Sequence, residues 1–271
     1  MILVTGATGH YGAAAIEQLG KKGVGAPRLA ALVRDAAKGQ PLRAQGIDVR
    51  VGDYTDVESL VRAFQGVEQL LLVSSNDRGR VENRTAQHLN VLKAAQAAQV
   101  KHVVYTSFVT KPAFQNSAIT DFLASHAQTE QAIKASGLAY TILQNGIYLE
   151  MISAFVGEKV AETGVIRFPA QAGKASWVLR AELAEAAAHV LTTAGHENQT
   201  YQLTNPEATS FQDIAHDLSG PLGQAVHYQS PPAEEFQATL QQAGVPDGYI
   251  GMLTTWARAV AQGMLEAPDS T

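Results

Sequence analysis

A short apolar run, a glycine turn and a helical pattern at the start of the chain constrain its fold more than any other stretch. The apolar residues Ile2–Val4 lead into Gly6, Gly9 and Gly12, after which apolar residues recur at helical spacing. A strand, a tight turn and a helix in this order present backbone N–H groups to the pyrophosphate of a dinucleotide. The spacing is G-x-x-G-x-x-G. Because glycine turns also occur in proteins that bind no ligand, the prediction of a dinucleotide site depends on the flanking strand and helix.

The three glycines have separate expected roles. A side chain at Gly6 or Gly9 would hold the phosphates away from the backbone, whereas Gly12 lets the helix pack closely against the strand. We therefore predict a dinucleotide site at this turn.

The composition excludes several other classes of protein. The 271 residues carry a net charge of -5 without a cluster of Lys and Arg, which argues against a nucleic-acid surface. The absence of cysteine excludes disulfides, zinc-thiolate sites and thiol catalysis, and we predict no metal site. The first strand follows Met1 directly, and no apolar run approaches the ~20 residues that span a bilayer. We expect a cytoplasmic protein that does not contact membranes.

Strands and helices alternate along the first half of the chain. Strands are predicted at 28–34, 46–51, 70–75, 102–107 and 139–143, with helices from 57, over 81–98 and over 119–135. This alternation predicts an α/β fold with a Rossmann-type doubly wound parallel sheet over residues 1–145. In the helix at 81–98, Leu89 and Leu92 are expected to face inward and His88 to lie on the surface. Residues 109–118 are predicted to form a loop.

The remaining residues, 146–271, are predicted to form a smaller α/β substrate lobe that is partly interwoven with the sheet. Short strands are expected near 165–168, 176–178 and 199–203, and helices near 181–194, 210–218, 233–243 and 249–264.

The end of the second strand indicates which dinucleotide is bound. In dinucleotide folds an acid at this point accepts hydrogen bonds from the ribose 2′-hydroxyl, whereas Arg accommodates a 2′-phosphate. Arg34 occupies the place, with Lys38 one helical turn further on, which favours NADP(H) as the cofactor. Asp35 beside it would suit NAD. The structural alternative to a phosphate-binding role is that Arg34 is an ordinary solvated arginine at a strand end.

Polar residues follow the other predicted strands at the edge where ligands of open α/β sheets bind. Asp53 is expected either to meet the adenine or to cap the helix that starts at Val57, with Thr55 and Asp56 as competing caps. The other polar residues at this edge are Ser74, Ser75, Asn76 and Ser107.

Several of these segments together resemble the NmrA-like group of atypical short-chain dehydrogenases, in particular its bacterial quinone oxidoreductases of type 2 and its triphenylmethane reductases. The matching segments are Gly6–Gly9, Leu32–Arg34, Gly52–Tyr54, Tyr105–Ser107 and Asn145–Tyr148. The resemblance implies NADPH along the first turn, Arg34 at the 2′-phosphate, Ser74 to Asn76 near the ribose, and the last segment near the nicotinamide. The implied contacts are Gly6, Ala7, Thr8, Gly9, His10, Tyr11, Arg34, Asp53, Ser74, Ser75, Asn76, Ser107, Asn145, Gly146, Ile147 and Tyr148. Because the contacts at the turn are largely with the backbone, His10 and Tyr11 fit although relatives often have Gln and Leu there.

The chain lacks the Tyr-x-x-x-Lys pair of ordinary short-chain dehydrogenases, since none of its eight tyrosines has a lysine four residues later. Reduction of an unactivated ketone requires a placed proton donor, which contributes about 10²–10⁴-fold. A quinone already accepts hydride readily, so positioning carries most of its reduction. The sequence therefore favours a quinone-like acceptor.

Three residues are candidates for assisting the chemistry. Tyr148 and His126 are possible proton donors, and Asn145 is a candidate for orienting the reactants. The structural alternatives are a half-buried aromatic residue for Tyr148 and a surface pair for His126 with Glu130, which lie at i and i+4.

Two other functions remain open at this point. NmrA-like proteins include regulators that bind NADP without turnover, and the same machinery would also reduce a dye or an enone. A homodimer through helices such as 81–98 is likewise open.

Overall fold

The computed structural model describes residues 1–76, 81–110 and 119–266, so most of the predicted loop at 109–118 lies outside the described residues. Seven strands form one parallel sheet, namely β1 (Ile2–Val4), β2 (Leu29–Val33), β3 (Asp48–Val51), β4 (Gln69–Leu72), β5 (His102–Phe108), β6 (Ala139–Asn145) and β11 (Gln199–Leu203). Their order in the sheet is β11-β6-β5-β4-β1-β2-β3. The helices of this part are α1 (His10–Lys21), α2 (Gln40–Ala44), α3 (Val57–Ala63), α4 (Val81–Ala97), α5 (Thr120–Ala135) and α8 (Arg180–Thr192).

The strand order reverses at β1, which pairs with β2 on one side and with β4 on the other. The connections that leave β1 and β4 therefore diverge, and a crevice opens between the carboxyl ends of these two strands. The predicted α/β fold of Rossmann type is confirmed.

Alternation of side chains along the strands builds one apolar layer on each face of the sheet. Ile2 and Val4 pack with buried residues of α1 and α8, whereas Leu3 packs on the opposite face with residues of α3 and α4. Because both faces are covered by helices, β1, β2 and β5 are buried along their whole length. The sheet edge above this core is left for polar residues.

The second part of the chain builds a separate apolar cluster from aromatic side chains. Phe155 stacks on Phe168 at a centroid distance of 4.9 Å, and Phe168 contacts Phe211 at 4.7 Å. Around it lie β7 (Ile147–Tyr148), β8 (Val165–Arg167), β9 (Lys174–Ala175), β10 (Trp177–Val178), β12 (Thr209–Ser210), β13 (His227–Gln229), α6 (Ile152–Val156), α7 (Val160–Thr163), α9 (Phe211–Leu222), α10 (Ala233–Gln242) and α11 (Asp247–Ala261).

One strand of the second part returns to the main sheet, where β11 pairs in parallel with β6. A domain boundary after residue 145 remains a prediction.

Two expectations for α4 are wrong. His88, expected on the surface, is fully buried because the sheet and α5 cover its face of the helix. Leu89, expected inside, is 37% exposed, whereas Leu92 is buried as predicted. Within the described ranges no helix is both long and apolar enough to cross a membrane.

The contact between α1 and the first turn gives a direct test of the role of Gly12. A Cβ atom at Gly12 would lie 2.3 Å from the carbonyl oxygen of Gly6 and 2.9 Å from the Cα of Ala7. Because both obstacles are backbone atoms, we expect Gly12→Ala to lower the free energy of unfolding in urea by about 1–3 kcal/mol.

Gly20 of the same helix is the matched control, because a Cβ atom there meets nothing within 4 Å. Gly20→Ala should stabilise the protein by about 0.5–1 kcal/mol through helix propensity. Equal effects of the two substitutions would contradict the proposed close contact at Gly12.

Candidate active site

A cleft of about 1340 Å³ opens at the carboxyl edge of the sheet, beginning at the crevice between β1 and β4. It continues between the sheet and the second part of the chain to α11. Most of the predicted site residues line it, namely Gly6, Thr8, Gly9, His10, Tyr11, Arg34, Asp53, Ser74, Ser75, Asn76, Ser107, His126, Gly146, Ile147 and Tyr148. Ala7 and Asn145 are buried behind its wall.

The glycine turn has the geometry expected of an anion cradle. Gly6 has a φ of +56°, in the left-handed region that favours glycine, and a Cβ at Gly9 would lie 3.2 Å from the Gly6 carbonyl oxygen. Gly9 is the N-cap of α1, and no side chain of the described residues caps it. The first N–H groups of this helix are therefore available to a ligand.

The side chain of Tyr11 is buried beside the cleft. Its hydroxyl donates to the carbonyl of Leu183 at 3.0 Å, which ties α1 to α8. His10, by contrast, is exposed and lines the cleft.

The side chains of Arg34 and Asp35, at the end of β2, have different surroundings. Arg34 is exposed and lines the cleft. The Asp35 carboxylate instead accepts the N–H of Ala37 at 2.9 Å in the following turn. Arginine, and not the acid, is thus the charged group presented to a ligand at this strand end.

Asp53 is not the cap of α3. That role belongs to Asp56, whose carboxylate accepts the N–H of Ser59 at 3.1 Å. Asp53 lines the cleft and accepts both the N–H and the hydroxyl of Thr55, at 2.8 and 2.7 Å, and these bonds lower the pKa of its carboxyl. It is therefore an anionic acceptor beside the crevice.

Thr5 and Tyr54 join the strands beneath the crevice, a role that the sequence did not reveal. The Thr5 hydroxyl accepts the N–H of Val73 at 2.9 Å and donates to the carbonyl of Leu71 at 3.1 Å. The Tyr54 hydroxyl lies 2.8 Å from the carbonyl oxygen of Val73. Together they fix the end of β4, where the predicted ribose contacts begin.

His88 holds the next residues of that segment. Its Nε2 accepts the N–H of Ser75 at 2.8 Å, while its Nδ1 lies 2.8 Å from the Thr129 hydroxyl, which in turn donates to Ser125. An acceptor at Nε2 requires a neutral ring, and burial lowers the pKa of His88 to about 3. His88 thus positions the backbone of Ser75 without carrying charge.

His126 and Glu130 lie on one face of α5, as their spacing predicts, but they are buried, so the surface-pair alternative is wrong. Glu130 accepts the Ser107 hydroxyl at 2.5 Å and the Gln144 amide at 3.0 Å. Because Ser107 gives its proton to this carboxylate, it presents lone pairs to the cleft.

His126 is held between Arg84 and Tyr105. Arg84 donates to Nε2 at 2.9 Å, so the proton of the neutral ring is on Nδ1, 2.9 Å from the Tyr105 hydroxyl. Burial and the charge of Arg84 hold the pKa of His126 well below its usual range. His126 is therefore a neutral imidazole, not an acidic imidazolium, at neutral pH.

Tyr148 is half-buried in the cleft wall, with the guanidinium of Arg180 stacked 4.3 Å from its ring centroid. Burial raises the pKa of Tyr148 and of Tyr11, so both phenols stay protonated. Asn145 is fully buried near both hydroxyls, yet among the described residues neither polar atom of its side chain has a hydrogen-bond partner. Buried amides without a partner are rare, which makes Asn145 a candidate for a functional role.

The far end of the cleft has an aromatic wall, which we define as Phe108, Phe122 and Trp256. The ring centroid of Phe122 lies 5.3 Å from that of Phe108 and 5.6 Å from that of Trp256, and both pairs pack edge to face. Trp256 comes from α11, about 150 residues away along the chain from Phe108 in β5. No local pattern in the sequence could have paired them.

The buried neutral histidines predict how stability depends on pH. His88 and His126 keep their folded-state pKa values far below the ordinary value of about 6.5, so the unfolded chain binds more protons as pH falls. We expect the free energy of unfolding to fall between about pH 7 and about pH 5, by up to about 1.4 kcal/mol per pH unit for each histidine. Urea titrations at several pH values measure this free energy of unfolding.

His88→Gln keeps an acceptor but cannot titrate, so it should remove the share of this dependence that is due to His88 and leave the share of His126. His216→Gln changes an exposed histidine and should leave the slope unaltered. A slope in His88→Gln equal to that of the wild type would contradict the neutral buried state of His88.

Comparison with known proteins supports this geometry. The chain is 41% identical over 253 residues to quinone oxidoreductase 2 of Escherichia coli K12, covering 93% of this chain and 85% of the relative. A crystal structure of Citrobacter sp. triphenylmethane reductase complexed with NADP(H) superposes with a TM-score of 0.91 at 37% identity, covering 99% of this chain and 92% of that one. The crystal structure of the NADPH-dependent quinone oxidoreductase QOR2 of Escherichia coli, complexed with NADPH, superposes with a TM-score of 0.85 at 38% identity. The match covers 100% of this chain and 96% of that one.

The model of the NmrA-like family matches residues 1–266, nearly the whole chain. This match agrees with the glycine turn and with the crevice at the strand reversal. The chain therefore belongs to the NmrA-like family.

Proposed function

We propose that the chain is an NADPH-dependent oxidoreductase that transfers a hydride to a quinone. The observation that carries the proposal is one continuous cleft with a phosphate-binding turn at one end and an aromatic wall at the other. The printed descriptions of two relatives, a quinone oxidoreductase and a reductase complexed with NADP(H), support the same chemistry.

The residues of the cleft fit NADPH. The turn at Gly6 and Gly9 leaves backbone N–H groups for a pyrophosphate, and Arg34 offers a planar fork suited to a 2′-phosphate. Asn145, buried behind the cleft wall beside the Tyr148 hydroxyl, would orient the nicotinamide end of the cleft through Tyr148. When bound, NADPH supplies the hydride.

The residues of the chain itself act mainly by positioning. We assign Asn145 to orienting the nicotinamide and Tyr148 to donating a hydrogen bond, since its pKa is raised and its hydroxyl stays protonated. His126 is a positioning residue, because its two ring nitrogens are engaged by Arg84 and Tyr105. A quinone needs no strong general acid, which suits a site built in this way.

The aromatic wall suits a flat acceptor. Phe122 and Trp256 present ring surfaces beside the cleft, and planar conjugated rings pack favourably against such surfaces. Met151 and Met252 add adaptable apolar contacts at the same end. A quinone bound there would lie within the same cleft as the nicotinamide.

Arg34→Ala tests the choice of cofactor. Wild type should oxidise NADPH in the presence of a benzoquinone faster than NADH, and Arg34→Ala should lower kcat/KM for NADPH by about 10–10²-fold, since a charge-assisted pair is lost. The rate with NADH should change little. Loss of absorbance of the reduced nicotinamide follows the reaction.

Arg43→Ala is the matched control, because Arg43 is an exposed arginine of α2 that does not line the cleft. Binding of NADPH without turnover of any quinone would contradict the proposed reaction and favour a regulatory role. Equal losses with both nucleotides would contradict the assignment of Arg34.

Tyr148→Phe tests how much of the catalysis comes from a hydrogen bond. We expect kcat with a quinone to fall about tenfold, the equivalent of one hydrogen bond, with the Kd for NADPH nearly unchanged. Single-turnover rates measure this step. A loss of about 10⁴-fold would show that Tyr148 is an essential proton donor and contradict the positioning account.

A further inference from the structure

We propose that His88 and Thr106 are positioning residues for the nucleotide. They hold residues 73–75, which follow β4 directly and which we call the β4 extension, and the position of this segment sets the affinity of the crevice for NADP(H). The inference rests on the proposed function, because it names side chains behind the cleft wall that determine how well the proposed cofactor binds.

The β4 extension forms the wall of the crevice beside the glycine turn. Its residues Val73, Ser74 and Ser75 are half-buried and line the cleft. A Cβ atom at Gly6 would lie 3.5 Å from the Cβ of Val73, so the extension and the turn are within van der Waals range of each other. A shift of the extension therefore changes the space in which a nucleotide would lie beside the turn.

Side chains hold the extension in place of a strand ladder. The pairing of β4 with β1 ends at Leu71, and its pairing with β5 ends at Leu72. Beyond these residues, each of the three backbone N–H groups of the extension is accepted by a side chain from a different part of the fold. In chain order the acceptors are Thr5 Oγ1 at 2.9 Å, Thr106 Oγ1 at 2.9 Å and His88 Nε2 at 2.8 Å.

These bonds decide what the extension can offer to a ligand. Because its three N–H groups are engaged within the protein, the polar atoms of its backbone and serine side chains that are left for a ligand are oxygen atoms. A phosphate needs donors, which the glycine turn supplies through the N-terminus of α1. The extension therefore suits the hydroxyl groups of a nucleotide, whereas the turn suits its phosphates.

The ring of His88 is fixed in the orientation that this role requires. The Thr129 hydroxyl donates to the carbonyl of Ser125 at 2.7 Å, so it accepts a hydrogen bond from Nδ1 of His88, 2.8 Å away. The ring proton is then on Nδ1, and the lone pair of Nε2 faces the N–H of Ser75. Tyr105 packs edge-on against the ring at a centroid distance of 5.5 Å. The acceptor for Ser75 is therefore held from two sides.

Removal of one of these acceptors acts on affinity through the free protein. A buried backbone N–H that loses its partner favours other positions of the segment, in which water can satisfy it. The apparent Kd for a ligand rises as the fraction of molecules with a competent crevice falls, and a fall to about one tenth raises the Kd about tenfold.

Isothermal titration calorimetry with NADP⁺ tests the inference. His88→Leu removes the acceptor, whereas His88→Gln places an amide oxygen that can accept the same N–H. We expect the Kd for NADP⁺ to rise about tenfold in His88→Leu and to stay within about threefold of wild type in His88→Gln. With a benzoquinone as acceptor, the KM for NADPH should rise in parallel with the Kd, and kcat should change by less than about twofold.

His102→Leu is the matched control. His102 is also a buried histidine, 6% exposed, and its Nε2 lies 2.9 Å from the hydroxyl of Thr141. It is the first residue of β5, at the amino edge of the sheet, and it does not line the cleft. His102→Leu should lower the Tm as His88→Leu does, but it should leave the Kd for NADP⁺ unchanged.

Thr106 provides a second test that keeps His88 intact. Thr106→Val removes the acceptor of the Ser74 N–H with little change of shape, whereas Thr106→Ser keeps it. The Kd for NADP⁺ should rise in Thr106→Val and recover in Thr106→Ser, and this pair decides the question if His88→Leu does not fold. Hydrogen exchange of the N–H groups of residues 73–75 should be faster in Thr106→Val and His88→Leu than in wild type.

The outcomes separate the two proposals. Equal increases of the Kd in His88→Leu and His102→Leu, or an unchanged Kd in Thr106→Val, would overturn the positioning inference and leave the proposed reaction standing. Affinity for NADP⁺ that depends on His88 and Thr106, without turnover of any quinone, would overturn the proposed reaction and leave the positioning inference standing. Failure of wild type to bind NADP⁺ would overturn both.

Discussion

The close approach of α1 to the first turn is the constraint on which the rest of the site depends. Gly12 lies so near the carbonyl of Gly6 that a side chain has no space there, and this contact places the N-terminus of α1 at the crevice between β1 and β4. Parallel strands covered on both faces then leave their carboxyl edge as the place for polar groups. The proposed cofactor and acceptor sites both begin from this single edge.

Behind the cleft wall, neutral polar groups hold the reactive surface in place. His88 fixes the backbone of Ser75, and His126 fixes the guanidinium of Arg84. Neither histidine carries charge, because burial makes an imidazolium too costly. The histidines behind the wall therefore serve as hydrogen-bonding partners that do not exchange protons near neutral pH.

Local patterns predicted the parts of the structure that local physics controls. The glycine turn and the apolar strands follow from spacing and hydrophobic runs, and the position of Arg34 at the end of β2 follows from fold geometry. The sequence could not show that His88 is buried, since α4 is rich in alanine and has no clear apolar face. It also could not pair Trp256 with Phe122 or reveal Arg84, because those contacts join α4, α5 and α11 across the cleft.

A crystal structure of the chain with NADP⁺ and a quinone bound together tests the central claim most directly, since the claim is that one cleft holds both molecules. The account predicts the 2′-phosphate at Arg34, the nicotinamide beside Asn145 and Tyr148, and the quinone between the nicotinamide and Phe122. A quinone bound outside the cleft, or a nicotinamide directed away from Tyr148, would contradict the account.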